Sequence, residues 1–284
     1  MTRLLIAPLI KAAEDRLSHL GSPAQDAEML FRGITGMSRA ALLANSGEVA
    51  STEDAERFEE ALRRREGHEP IQYILGVAAF WRDDFVVNRS VLIPRLETEI
   101  LIEAVAKRTS HSHAAALLDL GTGSGCIVLS LLRELPLARA MAVDRSASAL
   151  EVAAENARRL GLTSRVALRL SRWFDAIEPG STFDAIVSNP PYVARGDQAE
   201  LPREVRDFEP EMALFADASD DLSSYREITR DVVRHLKPAG LLAFEVGQGQ
   251  ASGVADLVAA AGLGSIEILD DLARIPRVVV GRRP

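Results

Sequence analysis

The fold is read from Leu117-Leu118-Asp119-Leu120-Gly121-Thr122-Gly123-Ser124-Gly125. An apolar run gives way to three alternating glycines, and helical spacing resumes over residues 127–134. A buried strand, a glycine turn and a helix in that order predict a nucleotide-type site, because glycine lets the backbone turn tightly and approach a ligand closely. Outward from this stretch, apolar runs and helical patterns alternate. Strands are expected at 116–120, 140–143, 166–170, 183–187, 241–246, 266–269 and 277–280, and helices at 147–160, 222–235 and 254–261. Gly161 stops the first of these helices and Pro238-Ala239-Gly240 the second. Such alternation predicts an α/β fold: a mostly parallel, Rossmann-like sheet of seven strands with helices on both faces. In sheets of this kind ligands bind beyond the carboxyl ends of the strands, at the switch point of the strand order.

The glycine spacing bears on which nucleotide is bound. The dinucleotide fingerprint is Gly-x-Gly-x-x-Gly. Here the third glycine comes one residue early, and Cys126 stands at the sixth position as a small helix-packing residue. Asp144 ends the next strand and is placed to hold two ribose hydroxyls, which either kind of nucleotide requires. Asp119 discriminates between them. A carboxylate just before the loop repels a pyrophosphate and suits a cationic amino-acid ligand. S-adenosylmethionine carries a sulfonium and an ammonium and no phosphate, so these residues favour it over a nicotinamide dinucleotide.

A second unusual stretch, Asn189-Pro190-Pro191-Tyr192, follows the apolar run 183–187, which has Asp184 near its start. Two consecutive prolines fix φ twice and remove two backbone donors, and the residue before each is held extended. The carbonyls there are expected to lack local N–H partners. With the Asn189 side-chain carbonyl and the Tyr192 ring they make a rigid rim of acceptors beside a flat face. That rim suits a planar group bearing –NH₂. Taken alone the tetrapeptide is ordinary turn punctuation; its place after a buried strand gives it weight.

Over 284 residues, 47% hydrophobic side chains allow a sizeable core in one large or two modest domains. The net charge is −8, and neither the first 95 residues nor the rest is basic, which argues against phosphate-dominated nucleic-acid binding. The single cysteine excludes an internal disulfide and a multi-cysteine metal site, and no metal is expected. No apolar run approaches the ~20 residues of a membrane span. The start, Met1-Thr2-Arg3-Leu4-Leu5, is too short in apolar residues before Lys11 for a signal peptide, so a cytoplasmic protein is expected. Residues 1–75 read as helices, among them 26–33, 39–44 and a charged helix capped at Ser51 and running to Arg65. Arg63-Arg64-Arg65 lies among glutamates and reads as a solvated helix face. Residues 76–91 read as a hairpin or two short strands, and Thr109-Ser110-His111-Ser112-His113 as a polar surface loop rather than a metal site. The expected domains are a helical one over 1–75, a connector over 76–95 and the α/β domain over 96–284.

Taken together, residues 119–125, Asp144 and Asn189-Pro190-Pro191-Tyr192 resemble class I methyltransferases that modify planar nitrogens. Adenine N(6) DNA methyltransferases and glutamine N(5) protein methyltransferases belong to that group. Glu69-Pro70-Ile71-Gln72-Tyr73-Ile74-Leu75-Gly76, Phe80, Phe85 and Leu92-Ile93-Pro94-Arg95 with Glu97-Thr98-Glu99 look like the connector of the peptide chain release factor glutamine methyltransferases. Phe208-Glu209-Pro210, Ala213-Leu214 and Phe244-Glu245-Val246-Gly247 with Gln250 are similar to the same family. The resemblance covers nearly the whole chain. It implies S-adenosylmethionine as methyl donor, leaving as S-adenosylhomocysteine, and a monomer acting on the glutamine of the Gly-Gly-Gln loop of release factors. The helical domain would help to hold that protein. The resemblance implies cofactor contacts at Asp119, Gly121, Thr122, Gly123, Ser124, Gly125, Asp144, Trp173 and Asn189. Asn189, Pro190, Pro191 and Tyr192 would hold the glutamine amide, with Asn189, Pro190 and Tyr192 carrying catalysis. Leu96, Arg172, Asp220-Asp221-Leu222 and Arg274-Ile275-Pro276 depart from the family pattern. An adenine N(6) DNA or RNA methyltransferase is the alternative within the same chemistry. The acidic balance weighs against it, since such enzymes must hold and flip a base. A cofactor-binding module without catalysis is a further reading, which the intact 189–192 stretch opposes.

Overall fold

The computed structural model describes residues 4–109, 114–216 and 220–284. The expected surface loop with His111 and His113 therefore lies outside the described residues. Contacts divide the chain into two compact units, Met1–Val77 with Pro202–Phe208, and Ala78–Leu201 with Glu209–Pro284.

In the first unit the chain forms α1 (Ile6–Arg16), α2 (Pro23–Thr35), α3 (Arg39–Ala44), α4 (Thr52–Glu66) and α5 (Ile71–Leu75). Ser38 and Ser51 cap α3 and α4, each accepting a backbone N–H of the first turn. Leu17, Leu30, Phe31, Phe58 and Leu62 fill the core, with Phe31 and Phe58 edge to face at 5.4 Å. Sequence reading put all three consecutive arginines of α4 on a solvated face, and Arg65 corrects this. The buried positions Phe58, Ala61, Leu62 and Arg65 follow one helical stripe, so Arg65 points inward. Its guanidinium donates to Asp26 Oδ2 and to Glu204 Oε1, each at 2.7 Å, and to the Glu69 carbonyl. Glu204 comes from the returning segment Pro202–Phe208, which packs in this unit although it lies within the 96–284 range expected for the α/β domain.

The second unit opens with the hairpin of β1 (Val77–Phe80) and β2 (Asp83–Val86), then a 3₁₀ turn at Leu96–Thr98 and α6 (Glu99–Arg108). Alternation follows: β3 (Ala116–Leu120), α7 (Cys126–Glu134), β4 (Arg139–Asp144), α8 (Ala147–Arg159), β5 (Val166–Leu170) and β6 (Phe183–Ser188). The short helix α9 (Arg203–Phe208) belongs to the first unit; in the second, α10 (Glu211–Leu214) precedes α11 (Ser223–His235), β7 (Leu236–Glu245), α12 (Ala251–Ala260), β8 (Gly264–Asp270) and β9 (Pro276–Arg282). The seven-stranded sheet has the order β5-β4-β3-β6-β7-β9-β8. Its first five strands pair in parallel, and β9 runs antiparallel to both neighbours. Successive strand residues feed opposite faces, as a pleated strand requires. Leu117, Ala185, Val187 and Ala243 pack with α6 and α7, whereas Leu118, Ile186, Leu242 and Phe244 pack with α11 and α12.

The order runs outward from β3 to β4 and β5 on one side and to β6 and β7 on the other, which makes the β3–β6 seam the switch point. Pro238-Ala239-Gly240, expected to separate a helix from a strand, instead lies inside β7. Pairing with β6 jumps there from Phe183↔Leu236 to Ala185↔Leu241, and Ala239 takes φ +61°. The three residues form an irregularity in the strand, which a proline tolerates because the ladder is already broken.

Candidate active site

Parallel pairing of Leu117 with Ala185 and of Asp119 with Val187 brings the 121–125 turn and residues 189–192 to the same end of the sheet. Gly121, Gly123 and Gly125 all have left-handed φ, at +77°, +55° and +80°. The amides of Gly121 and Thr122 both donate to the Val143 carbonyl, which folds the turn back over β4. A Cβ on Gly125 would meet Leu129 Cδ1 at 3.1 Å and Ala153 Cβ at 3.3 Å. The third glycine therefore serves the close approach of α7 and α8. Asn156 on α8, buried and not anticipated from sequence, braces the turn: its amide nitrogen donates to the carbonyls of Ser124 and Val86, and its Oδ1 accepts from Val86 N.

Both acids of the glycine site are tied into this frame. Asp144 Oδ2 accepts from Gly123 N and Oδ1 from Ser146 N, both at 2.9 Å. Burial nonetheless raises its pKa. Each oxygen keeps a lone pair, and Asp144 lines the cavity. Asp119 is fully buried and does not line it. Its Oδ2 accepts from the Thr122 hydroxyl at 2.7 Å, while Oδ1 has no partner of good geometry among the described residues. Burial pushes this carboxyl up to about 7; the Thr122 bond opposes that, the charge of Asp144 adds to it, and the Val128 amide offsets it only weakly. Cys126 is also buried, which lifts its thiol to about 12 and suits packing rather than nucleophilic attack.

A cavity of about 340 Å³ opens at this edge, within the usual range for a small-ligand site. Of the residues expected here, Gly121, Thr122, Gly123, Ser124, Asp144, Trp173, Asn189 and Pro191 line it. Asp119, Gly125, Pro190 and Tyr192 are not among its lining residues. One wall comes from the connector, with Leu92, Pro94 and Arg95, and another from Pro210, Met212 and Phe215. Glu209 joins these walls. Its carboxylate accepts from the Ile93 amide and the Arg95 guanidinium, although it is 5% exposed. In the sequence, Phe208-Glu209-Pro210 stands out only through the family resemblance, with no local signal of a place in the site.

The Asn189-Pro190-Pro191-Tyr192 turn is more fully bonded than the sequence suggests. Pro191 O accepts from Ser224 Oγ at 2.9 Å and Tyr192 O from Gln250 Nε2 at 3.0 Å. The Pro190 carbonyl accepts no hydrogen bond among the described residues. Gln250 also holds the amide of Gly247 and the carboxylate of Asp221, so one side chain fixes the far side of the turn. Gly247 has to be glycine at this spot, because a Cβ would come within 2.9 Å of the Tyr192 ring. Burial raises the Tyr192 hydroxyl to about 12, so the ring stays neutral. Behind Asn189, at the end of β7, sits Glu245, 2% exposed, with Oε2 unpartnered among the described residues. Burial pushes Glu245 up to about 7; hydrogen bonding from Thr98, the charge of Arg277 and the Asn189 side chain pull the other way, and Glu97 adds to the rise.

The chemistry on display is a concave site with carboxamide and carboxylate acceptors, an indole wall and a glycine turn. Among the described residues no group of three or more His, Cys, Asp or Glu is arranged to hold a metal ion. No helix among them is long and apolar enough to cross a membrane.

Comparison with known proteins gives this site a family. The PrmC N-terminal domain matches residues 8–76 and the methyltransferase small domain matches residues 96–237. A release factor glutamine methyltransferase of Cereibacter sphaeroides is 43% identical over 280 residues, spanning 98% of each chain. This chain belongs to the release factor glutamine methyltransferase family. Another member, from Caulobacter vibrioides, is 39% identical over 95% of this chain and 93% of its own. Among solved structures, a T. thermophilus 16S rRNA methyltransferase in complex with AdoMet and guanosine aligns with a TM-score of 0.54 at 18% identity. That alignment covers 73% of this chain and 50% of the other, and it bears on the fold alone. The mostly parallel seven-stranded sheet is that of the class I methyltransferases, as the sequence reading expects.

Proposed function

We propose that this protein transfers a methyl group from S-adenosylmethionine to the side-chain amide nitrogen of the glutamine in the Gly-Gly-Gln loop of peptide chain release factors. The observation that carries the reading is Asn189, held at the switch point on a cavity wall next to the glycine turn, in a chain with full-length kinship to this family.

The donor set fits the cofactor. Gly121 to Ser124 would lie along it, the open lone pairs of Asp144 suit ribose hydroxyls, and Trp173 offers a flat face. A cation above the turn would favour the ionised form of the buried Asp119 carboxyl, raised to about 7 without one, and that carboxylate would in turn attract the cation. When bound, S-adenosylmethionine supplies an electrophilic methyl carbon on a positive sulfur. The protein's own residues act on the glutamine. An amide nitrogen is a poor nucleophile, because its lone pair is delocalised into the carbonyl. Asn189 Oδ1 and the Pro190 carbonyl each accept one amide N–H, which localises charge on that nitrogen and orients it. Tyr192 supports the turn from behind, through its contact with Gly247. Positioning and preorganised dipoles supply the rate, and the extra proton leaves to solvent after transfer. Residues 1–75 help to hold the release factor, 76–95 act as connector, and 96–284 carry the methyl transfer. The protein works in the cytoplasm as a monomer.

The test is to offer labelled S-adenosylmethionine with a release factor, with its Gly-Gly-Glu variant, or with adenine-containing DNA, and to map modified peptides. Label is expected on the glutamine alone. A site built to bond N–H rejects a carboxylate lacking it by about 10⁴-fold or more. Comparable turnover on the glutamate variant would refute the two-acceptor mechanism, and label on DNA would point to the adenine N(6) alternative.

A further inference from the structure

Two lining residues of the cavity, Arg172 and Trp173, share one partner that does not line it. Glu227 on α11 accepts from Trp173 Nε1 through Oε2 at 2.7 Å. The Arg172 guanidinium donates to both oxygens of the same carboxylate, at 2.9 and 3.0 Å. Trp173 has φ +45°, a left-handed conformation that a bulky side chain does not choose for itself. The Ser171 hydroxyl donates to the Trp173 carbonyl at 3.2 Å and holds the backbone, while Glu227 is the polar group that holds the indole. The indole sits across from the glycine turn: a Cβ built on Gly121 would meet its Cζ3 at 3.7 Å. The carboxylate thus fixes a flat aromatic wall facing Gly121 of the turn. An unheld indole would have two free torsions, and a ligand would have to freeze them on binding.

We infer that Glu227 is a positioning residue that sets Trp173, and Arg172 beside it, as a preformed wall for a purine ring. The inference rests on the reading that the cavity takes S-adenosylmethionine, and it assigns the carboxylate on α11 to that ligand's affinity rather than to transfer. Glu227 acts through Trp173, so its removal alters how tightly the ligand is held and how mobile the indole is. It leaves the reacting amide and its acceptors untouched.

The chain has two tryptophans, so a Trp81→Phe parent leaves Trp173 as sole reporter. In that background S-adenosylhomocysteine is titrated into the parent, Glu227→Ala and Glu227→Gln, following Trp173 emission, with acrylamide quenching of the free proteins. Glu227→Ala is expected to bind about tenfold more weakly, equivalent to about 1.4 kcal/mol, and to quench more readily. Its kcat at saturating cofactor should stay within about twofold of the parent, the shift appearing in KM. Glu227→Gln keeps an acceptor for the indole N–H and should restore most of the affinity. Unchanged affinity and unchanged quenching in Glu227→Ala would overturn the inference while leaving the cofactor reading intact. A parent that does not bind S-adenosylhomocysteine would sink both.

Discussion

Replacing Glu245 by glutamine should firm the fold above neutral pH while slowing methyl transfer. Burial raises this carboxyl from its ordinary 4.5 to about 7. Below about pH 4.5 it is protonated in folded and unfolded chains alike, and its ionisation costs nothing. Between about pH 4.5 and 7 the unfolded chain releases the proton and the folded chain retains it, so stability falls as pH rises. Above about pH 7 both are ionised and the full penalty stands. At about 1.36 kcal/mol per pH unit, the interval from 4.5 to about 7 amounts to roughly 3 kcal/mol. Glu245→Gln cannot ionise and escapes that loss. Any offset from the buried amide itself does not vary with pH, so the slope carries the signal. Urea unfolding of both proteins at pH 5 and pH 8 should show their difference move by roughly 2–3 kcal/mol in favour of the variant. A difference flat with pH to within about 0.5 kcal/mol, well below the expected slope, would refute the claim that this carboxylate is buried at a cost. The slower transfer follows because the Asn189 side chain bonds the same carboxylate. Keeping an unfavourable ion behind Asn189 is the kind of site-local instability that function retains.

Asn189→Ala should lower transfer by about 10²-fold or more, while S-adenosylhomocysteine affinity by calorimetry stays within roughly threefold, under 1 kcal/mol. Gly125→Ala meets both a left-handed φ and two contacts under 3.4 Å; a loss of roughly 2–4 kcal/mol in urea unfolding is expected from strain and overpacking together. Arg65→Met leaves Asp26 and Glu204 facing each other without their cation. That should cost the first unit about 3–5 kcal/mol, read as loss of hydrogen-exchange protection across α2 and α4, and normal protection there would contradict it.

The parts of the fold legible in the sequence are those with a strong period or a forced backbone. The seven strands of the main sheet are five to ten residues of largely apolar sequence bounded by turn residues, and the glycine turn and the proline pair announce themselves. What escaped is short or side-chain mediated. Helices of four to six residues, such as α9 and α10, are too brief for a helical period to register. Pro238-Ala239-Gly240 has turn composition, yet the register jump in β7 absorbs it, and only pairing with β6 reveals that. Arg65 was misplaced by charge counting, although its spacing seven residues after Phe58 marked the inner face. Asn156, Glu209 and Glu227 organise the site through long-range bonds, with partners 32 to 116 residues away in the chain. No local pattern encodes such pairs.

The return of Pro202–Phe208 to the first unit has a consequence for biosynthesis. Arg65 and Glu204 are 139 positions apart. At about 5–20 residues per second on the ribosome, Arg65 emerges roughly 7–28 s before its second carboxylate does. The nascent amino-terminal helices must wait with that cation half-compensated, and the opening lobe reaches its finished state only when most of the later sheet has already been translated.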